Sequence, residues 1–150
     1  MTTIPFVNVQ GHIMIVVDNK RILIDTGSPV TIGNEECELV GMHIIPHNQI
    51  LGHNIENIRS TAGFTLDILL GMDYLSQQNI QIRYNDCAID FGDYSPATTG
   101  IQKPMSNFMN QCVIFPVVIN GIETNAIFDT GAPLAYINPK FVQNKAATIG

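Results

Sequence analysis

Charge is scarce in this sequence. Charged residues make up 13% of its 150 positions, the net charge is −6, and no run of Lys or Arg occurs. A chain without basic clusters cannot neutralise many phosphates, so we expect no nucleic acid partner. The apolar runs fall far short of the roughly 20 residues that a membrane-spanning helix requires, so we expect no membrane partner. An apolar content of 45% is typical of a folded globular chain.

Cysteine is also sparse, and its three copies are widely spaced at Cys37, Cys87 and Cys112. An odd number at wide spacing predicts free thiols in a reducing compartment rather than a disulfide framework. The first five residues carry no basic segment, so the sequence predicts no signal peptide. Together these features predict a cytoplasmic protein.

The four histidines show no convincing metal-binding pattern. His43 and His47 have the spacing of a helical metal site, but Pro46 lies between them and argues against a helix. A polar surface role is favoured for these two side chains and for His12 and His53. No Gly-rich phosphate loop occurs, so we predict neither a metal nor another cofactor.

What the sequence does contain is one short pattern that occurs twice, at residues 22–29 and 126–133. In each copy, apolar residues lead into Asp-Thr-Gly, followed by a small residue and Pro. The apolar residues predict a short buried strand, which Gly and Pro end in a tight loop. A single Asp-Thr-Gly can be an ordinary turn, and two unrelated turns are the alternative interpretation. The repeated context favours two related loops, in which Asp25 and Asp129 meet face to face.

The surroundings of the two copies are similar. Residues 12–25 predict a hairpin that delivers Asp25, and residues 112–128 predict one that delivers Asp129 around an Asn120-Gly121 turn. After the first copy, Ile68-Leu69-Leu70-Gly71 predicts a strand with close backbone packing. A short helix is predicted from Met72 to Gln78. Residues 34–63 give the weakest signals.

Composition divides the chain into three parts. Residues 1–95 predict one lobe, and residues 96–108, within a stretch rich in Gly, Pro, Ser and Thr, predict a linker. Residues 109–150 restart the first pattern and predict the amino-terminal part of a second lobe. In the second part of the chain, the counterpart of the Leu-Leu-Gly segment would fall beyond residue 150. We therefore expect a truncated second lobe and a fragment of a longer protein.

The two Asp-Thr-Gly loops, with Leu69-Leu70-Gly71 after the first, resemble the aspartic peptidases of the retropepsin-like and pepsin-like group. The resemblance implies an all-β fold: a closed β-barrel lobe with a short helix, followed by the start of a similar lobe, as an internal duplication. It implies an aspartic endopeptidase that hydrolyses peptide or protein substrates. A hairpin covering the active site is expected within residues 34–63, although no Gly-rich or Tyr-bearing tip is recognisable there.

The resemblance also implies the site residues. The catalytic residues would be Asp25 and Asp129, and the supporting residues are Thr26, Gly27, Ser28, Thr130, Gly131 and Ala132. Two close carboxylates would share one proton, and the pair would activate a water. The two threonines would hydrogen-bond across the interface between the loops, although each could instead cap its own turn.

The loops differ at Ser28 and Ala132. A serine hydroxyl that donates to a carboxylate favours the charged form, so we expect Asp25 to be ionised more often and Asp129 to be protonated more often. The alternative is that Ser28 is only a small residue that fits the turn.

Two other functions stay open at this point. In one, the first lobe forms a homodimer in which Asp25 meets Asp25 of a second copy. In the other, the fold is a catalytically inactive module for dimerisation or peptide binding.

Overall fold

The computed structural model describes residues 1–93, 100–108 and 112–142, and most of its regular structure is β-strand. The strands are β1 (Thr2–Val9), β2 (His12–Val17), β3 (Lys20–Ile24), β4 (Ile32–Gly33), β5 (Cys37–Leu39), β6 (Met42–Ile44), β7 (Gln49–Ile50), β8 (His53–Asn54), β9 (Ile68–Leu70), β10 (Ile80–Arg83), β11 (Ala88–Phe91), β12 (Ser106–Phe108), β13 (Cys112–Ile119) and β14 (Ile122–Ile127). The α-helices are α1 (Ile55–Ala62) and α2 (Met72–Leu75), and short 3₁₀ turns cover Tyr84–Asp86 and Pro139–Phe141.

The first part of the chain forms one seven-stranded sheet with the order β10-β11-β1-β2-β3-β9-β4. Neighbouring strands are antiparallel except β3 and β9, which run parallel with Leu23 opposite Leu69. The predicted hairpins of β2 with β3 and of β10 with β11 are both present. The all-β character is therefore confirmed in this region.

The predicted closed barrel is not seen in the part of the chain that the structure describes. Over the described residues, β10 and β4 stand at the two ends of the strand order and do not pair with each other. The end strand β4 is only two residues long, and the chain after it leaves the sheet to form two small hairpins and α1. Over the described residues the sheet is therefore open, with β10 and β4 as its two edges.

Strand β3 lies at the centre of the core. Ile22 and Ile24 face one hydrophobic cluster and Leu23 faces the other, as alternation along a strand requires. All three side chains are buried. Burial on both faces fixes the position at which the next residue, Asp25, leaves the sheet.

Residues 34–63 contain structure that the sequence signals did not resolve. Two hairpins, β5–β6 and β7–β8, turn at Val40-Gly41 and Leu51-Gly52, where both residues of each turn have positive φ. The helix α1 follows at once, capped by Asn54, whose side chain accepts the Asn57 N–H. The sequence signals in this segment were weak, and the capping box of α1 uses Asn in place of the more usual Glu or Gln at the third position.

The second part of the chain forms a three-stranded sheet with the order β12-β13-β14. The predicted Asn120-Gly121 hairpin joins β13 to β14. Pro116 lies beyond the stretch of β13 that pairs with β12, in keeping with its missing N–H donor. The predicted linker differs at its end because Ser106–Phe108 is a strand, and its residues 96–99 lie outside the described residues.

Two further results concern helices. Helix α2 ends at Leu75, so it is shorter than the predicted helix to Gln78, and Asn138 caps the 3₁₀ turn Pro139–Phe141. Across the parts of the chain that the structure describes, no helix has the length and apolar character needed to cross a membrane.

Candidate active site

The two Asp-Thr-Gly loops lie against each other. Asp25 follows β3 directly, and its backbone N–H donates to the Leu70 carbonyl at 3.0 Å. Asp129 follows β14 after one intervening residue, Phe128, whose N–H donates to the Val113 carbonyl at 2.9 Å. Both aspartates therefore stand at the ends of hairpin strands that the sequence predicted.

Four hydrogen bonds join the loops through their threonines. The Thr26 N–H donates to Thr130 Oγ1 at 3.1 Å, and the Thr130 N–H donates to Thr26 Oγ1 at 3.0 Å. The Thr26 hydroxyl donates to the Phe128 carbonyl and the Thr130 hydroxyl to the Ile24 carbonyl, each at 2.7 Å. The predicted contacts across the interface are confirmed, and the network is reciprocal.

The glycines of the loops allow the carboxyl groups to meet. A Cβ atom on Gly27 would overlap the carboxyl of Asp129, and a Cβ atom on Gly131 would overlap the carboxyl of Asp25. Each carboxyl thus lies over the glycine of the opposite loop. The structure brings Asp25 and Asp129 face to face, as the repeated motif predicted.

Backbone donors hold each carboxyl from its own loop. Asp25 Oδ1 accepts the Gly27 N–H at 2.9 Å and the Ser28 N–H at 3.1 Å. Asp129 Oδ1 accepts the Gly131 N–H at 2.9 Å. The Ser28 and Ala132 N–H groups also donate to the backbone carbonyls of Asp25 and Asp129, at 3.3 and 3.4 Å, but only the Ser28 N–H reaches the carboxyl as well. Asp25 therefore receives one more backbone donor than Asp129.

The pKa of Asp25 is raised to about 6. Burial is the largest cause, followed by the charge of Asp129, and a hydrogen bond between the two carboxyls acts in the same direction. The Gly27 and Ser28 N–H donors lower this pKa, but they do not outweigh burial. The pair therefore retains a proton to a higher pH than an isolated aspartate would.

The expected role of the Ser28 hydroxyl is wrong. This hydroxyl donates to the Val30 carbonyl at 2.7 Å and is used within the turn. The expectation that Ser28 keeps Asp25 ionised through its hydroxyl fails for the same reason. The alternative describes the Ser28 side chain, which is a small one that fits the turn. The contact of Ser28 with Asp25 is made by its backbone N–H.

The first loop is anchored to α2 by residues that sequence reasoning missed. Thr31 donates to the Asp73 carboxylate twice, from its N–H at 2.9 Å and from its hydroxyl at 2.6 Å. The Thr31 hydroxyl also accepts the Gly71 N–H at 2.9 Å. A Cβ atom on Gly71 would overlap the Val30 carbonyl. The only sequence signal near this anchor was the adjacent Leu69-Leu70-Gly71 segment.

The hairpin expected over the site has a candidate in β7–β8. The His47 N–H donates to the Thr31 carbonyl at 2.9 Å, and the Gly33 N–H donates to the His47 carbonyl at 3.1 Å. The hairpin is therefore rooted beside the strand that follows the first loop. Its turn residue Leu51 is 93% exposed.

Of the four histidines predicted to lie on the surface, His43, His47 and His53 are exposed, whereas His12 is half-buried. His43 is flanked by two glutamates: its ring nitrogens lie 2.5 Å from a Glu38 oxygen and 3.1 Å from a Glu36 oxygen. The Glu38 hydrogen bond is the largest cause that raises the pKa of His43. Within residues 1–93, 100–108 and 112–142, no group of three or more His, Cys, Asp or Glu side chains is arranged to hold a metal ion.

The raised pKa of Asp25 predicts a pH dependence of stability. A group with a raised folded-state pKa contributes stability below its unfolded pKa and loses it as the pH rises through the folded value. The protein should therefore lose on the order of 1–3 kcal/mol between about pH 4 and pH 7. Asp25→Asn, which cannot ionise, should raise Tm at pH 7 more than at pH 4.

Thermal unfolding from pH 4 to pH 7 measures this effect. The control is Asp18→Asn, which removes an exposed carboxylate from a turn where Asn is tolerated. A Tm profile of Asp25→Asn that runs parallel to that of the wild type would contradict the assignment.

Comparison with known proteins gave no match: neither family models, curated proteins nor solved structures are similar to this chain. The site must accordingly be interpreted from its own geometry.

Proposed function

We propose that this protein is an aspartic endopeptidase whose catalytic dyad is Asp25 and Asp129 of one chain. The observation that carries the proposal is the reciprocal pair of threonine contacts, which holds the two carboxyls over opposite glycines. An isolated turn aspartate needs no such arrangement. Two facing carboxyls with one raised pKa are what general acid–base catalysis of hydrolysis requires.

The mechanism follows from the shared proton. Asp25 retains the proton and donates it to the carbonyl oxygen of the scissile peptide bond. Asp129 accepts a proton from a water held between the carboxyls, and the resulting hydroxide attacks the carbonyl carbon. The tetrahedral intermediate collapses when the leaving nitrogen takes the proton from Asp129, the C–N bond breaks, and a hydroxyl of the intermediate returns its proton to Asp25. The substrate class is a peptide or protein chain, and no covalent intermediate forms.

The structure favours this form over the first-lobe homodimer. In the described residues the partner of the Asp25 loop is the Asp129 loop, and the threonine bonds occupy the surface that a second Asp25 loop would need. The inactive binding module shares the same contacts, so only an activity measurement separates it from the peptidase.

Cleavage of an unfolded protein from pH 3 to pH 7 tests the proposal. We expect a bell-shaped pH profile, since one proton must be present on the pair, and inhibition by a peptide analogue with a tetrahedral hydroxyl in place of the scissile carbonyl. Activity per mole should not change on dilution, because both carboxyls belong to one chain.

The alternatives give different results in the same assay. Specific activity that falls on dilution would indicate the first-lobe homodimer. No cleavage at any pH would support the inactive binding module and contradict the proposed function.

A further inference from the structure

Cys112 joins the second part of the chain to the first loop. It is the first residue of β13 and is 5% exposed. Its thiol donates to the Gly27 carbonyl, with Sγ 3.5 Å from the oxygen. A role for this contact was not foreseen from the sequence, which indicated only a free thiol.

The bonded carbonyl belongs to a peptide unit that also contacts the dyad. The Gly27 carbonyl and the Ser28 N–H are the two ends of one peptide group, and this N–H donates to Asp25 Oδ1 at 3.1 Å. The thiol, the peptide group and the Asp25 carboxyl therefore form a chain of hydrogen bonds. In such a chain, a bond accepted by the carbonyl polarises the peptide and strengthens the bond donated by its N–H.

The thiol keeps its proton in the working range of the site. Burial is the largest cause that raises the pKa of Cys112, and the charges of Asp25 and Asp129 raise it further. Among the described residues, the titratable groups that face Asp25 are Asp129 and this thiol. Cys112 therefore acts as a neutral donor.

The arrangement exists on one side only. Extending the strand registers places Cys112 opposite Asp129 and His12 opposite Asp25, so the two side chains occupy equivalent positions. Nδ1 of His12 lies 3.1 Å from the Val9 carbonyl oxygen, and the His12 ring packs against Phe64. Among the described residues, His12 therefore makes no contact with the second loop that corresponds to the contact of Cys112 with the first.

We propose that Cys112 is a positioning residue of the dyad, whose thiol orients the Gly27–Ser28 peptide so that the Ser28 N–H points at the Asp25 carboxyl. Its catalytic consequence rests on the proposed function, but its effect on the Asp25 carboxyl does not. The strengthened hydrogen bond from the Ser28 N–H favours the charged form of Asp25. It therefore opposes the effect of burial, which favours the protonated form.

Two variants of Cys112 test the proposal. Cys112→Ala removes the donor, and the titration midpoint of Asp25 should move up by about 0.2–0.5 on the pH scale. Cys112→Ser keeps a donor on a shorter side chain, so its midpoint should fall between those of Cys112→Ala and the wild type. The matched control is Cys87→Ala, because Cys87 makes a similar thiol contact with the Tyr84 carbonyl at 3.6 Å, away from the dyad.

Carbon-13 NMR of the aspartate carboxyls provides the measurement, with the Asp25 signal identified from its absence in Asp25→Asn. In parallel, the alkaline limb of the pH profile of cleavage should move to higher pH in Cys112→Ala, together with the Asp25 titration midpoint. KM should change little. A merely structural role would lower activity at every pH and leave the limb in place.

The two readouts fail in different ways. An unmoved Asp25 midpoint in both Cys112 variants would overturn the positioning role. A wild type that cleaves nothing would instead overturn the proposed function, and the NMR titration would still decide the role of Cys112.

Discussion

Asp129→Asn is expected to lower kcat by about 10³-fold or more, with little change in the folded structure. The amide cannot take a proton from the attacking water, so the general base is lost. Its oxygen can still accept the Gly131 N–H that holds the wild-type carboxyl. Asp25→Asn should cause a similar loss, because the general acid is then absent. Cleavage of an unfolded protein at the pH optimum measures both effects.

The pair of variants also tests which carboxyls form the dyad. The exposed Asp18 supplies the control, since Asp18→Asn should leave the rate unchanged. If Asp129→Asn keeps its activity while Asp25→Asn loses it, the dyad is formed by two first lobes from separate copies. Retention of activity by both variants would remove the aspartates from the mechanism altogether.

Thr26→Val should lower the free energy of unfolding by about 2–4 kcal/mol. The substitution keeps the shape of the side chain but removes a buried hydroxyl that both donates and accepts between the loops. The Phe128 carbonyl loses its donor, and the Thr130 N–H loses its acceptor. An unsatisfied buried group costs about 1–3 kcal/mol, and the loss at the Phe128 carbonyl adds less because that bond is only partly buried. Denaturant unfolding measures the change.

Conservative and distant variants separate the hydroxyl from other effects. Thr26→Ser retains the hydroxyl and should recover most of the lost stability. Thr65→Val, at an exposed position, should change stability by less than about 0.5 kcal/mol. Because the threonine bonds are reciprocal, Thr130→Val added to Thr26→Val should cost less than the sum of the two single changes. Additive losses would contradict a shared network.

The parts of the fold that the sequence predicted depend on local pattern. The hairpins that carry Asp25 and Asp129 follow from apolar strands with turn residues between them. Thr26 and Thr130 were predicted to meet because the same short motif occurs twice. Two loops that share a motif and face each other contact through the same side chains. The repeated motif therefore contained much of the site.

The parts that were missed depend on distant or rotational details. Whether a sheet closes depends on the edges β10 and β4, which are far apart in sequence and carry no signal of their partners. The Ser28 hydroxyl has acceptors on two sides, and only the turn geometry selects the Val30 carbonyl. Cys112 lies 85 positions from the carbonyl that it contacts. None of these three features changes a periodicity that could be detected in the sequence.

The reciprocal loops lie on one chain, and this has a consequence for how the site can be altered. In a site built from two identical chains, one codon specifies both halves, so every substitution is made twice. Here each loop has its own codons, and the differences between Ser28 and Ala132 or between Cys112 and His12 are separately encoded. A mutant library can therefore change the Asp25 loop while leaving the Asp129 loop untouched.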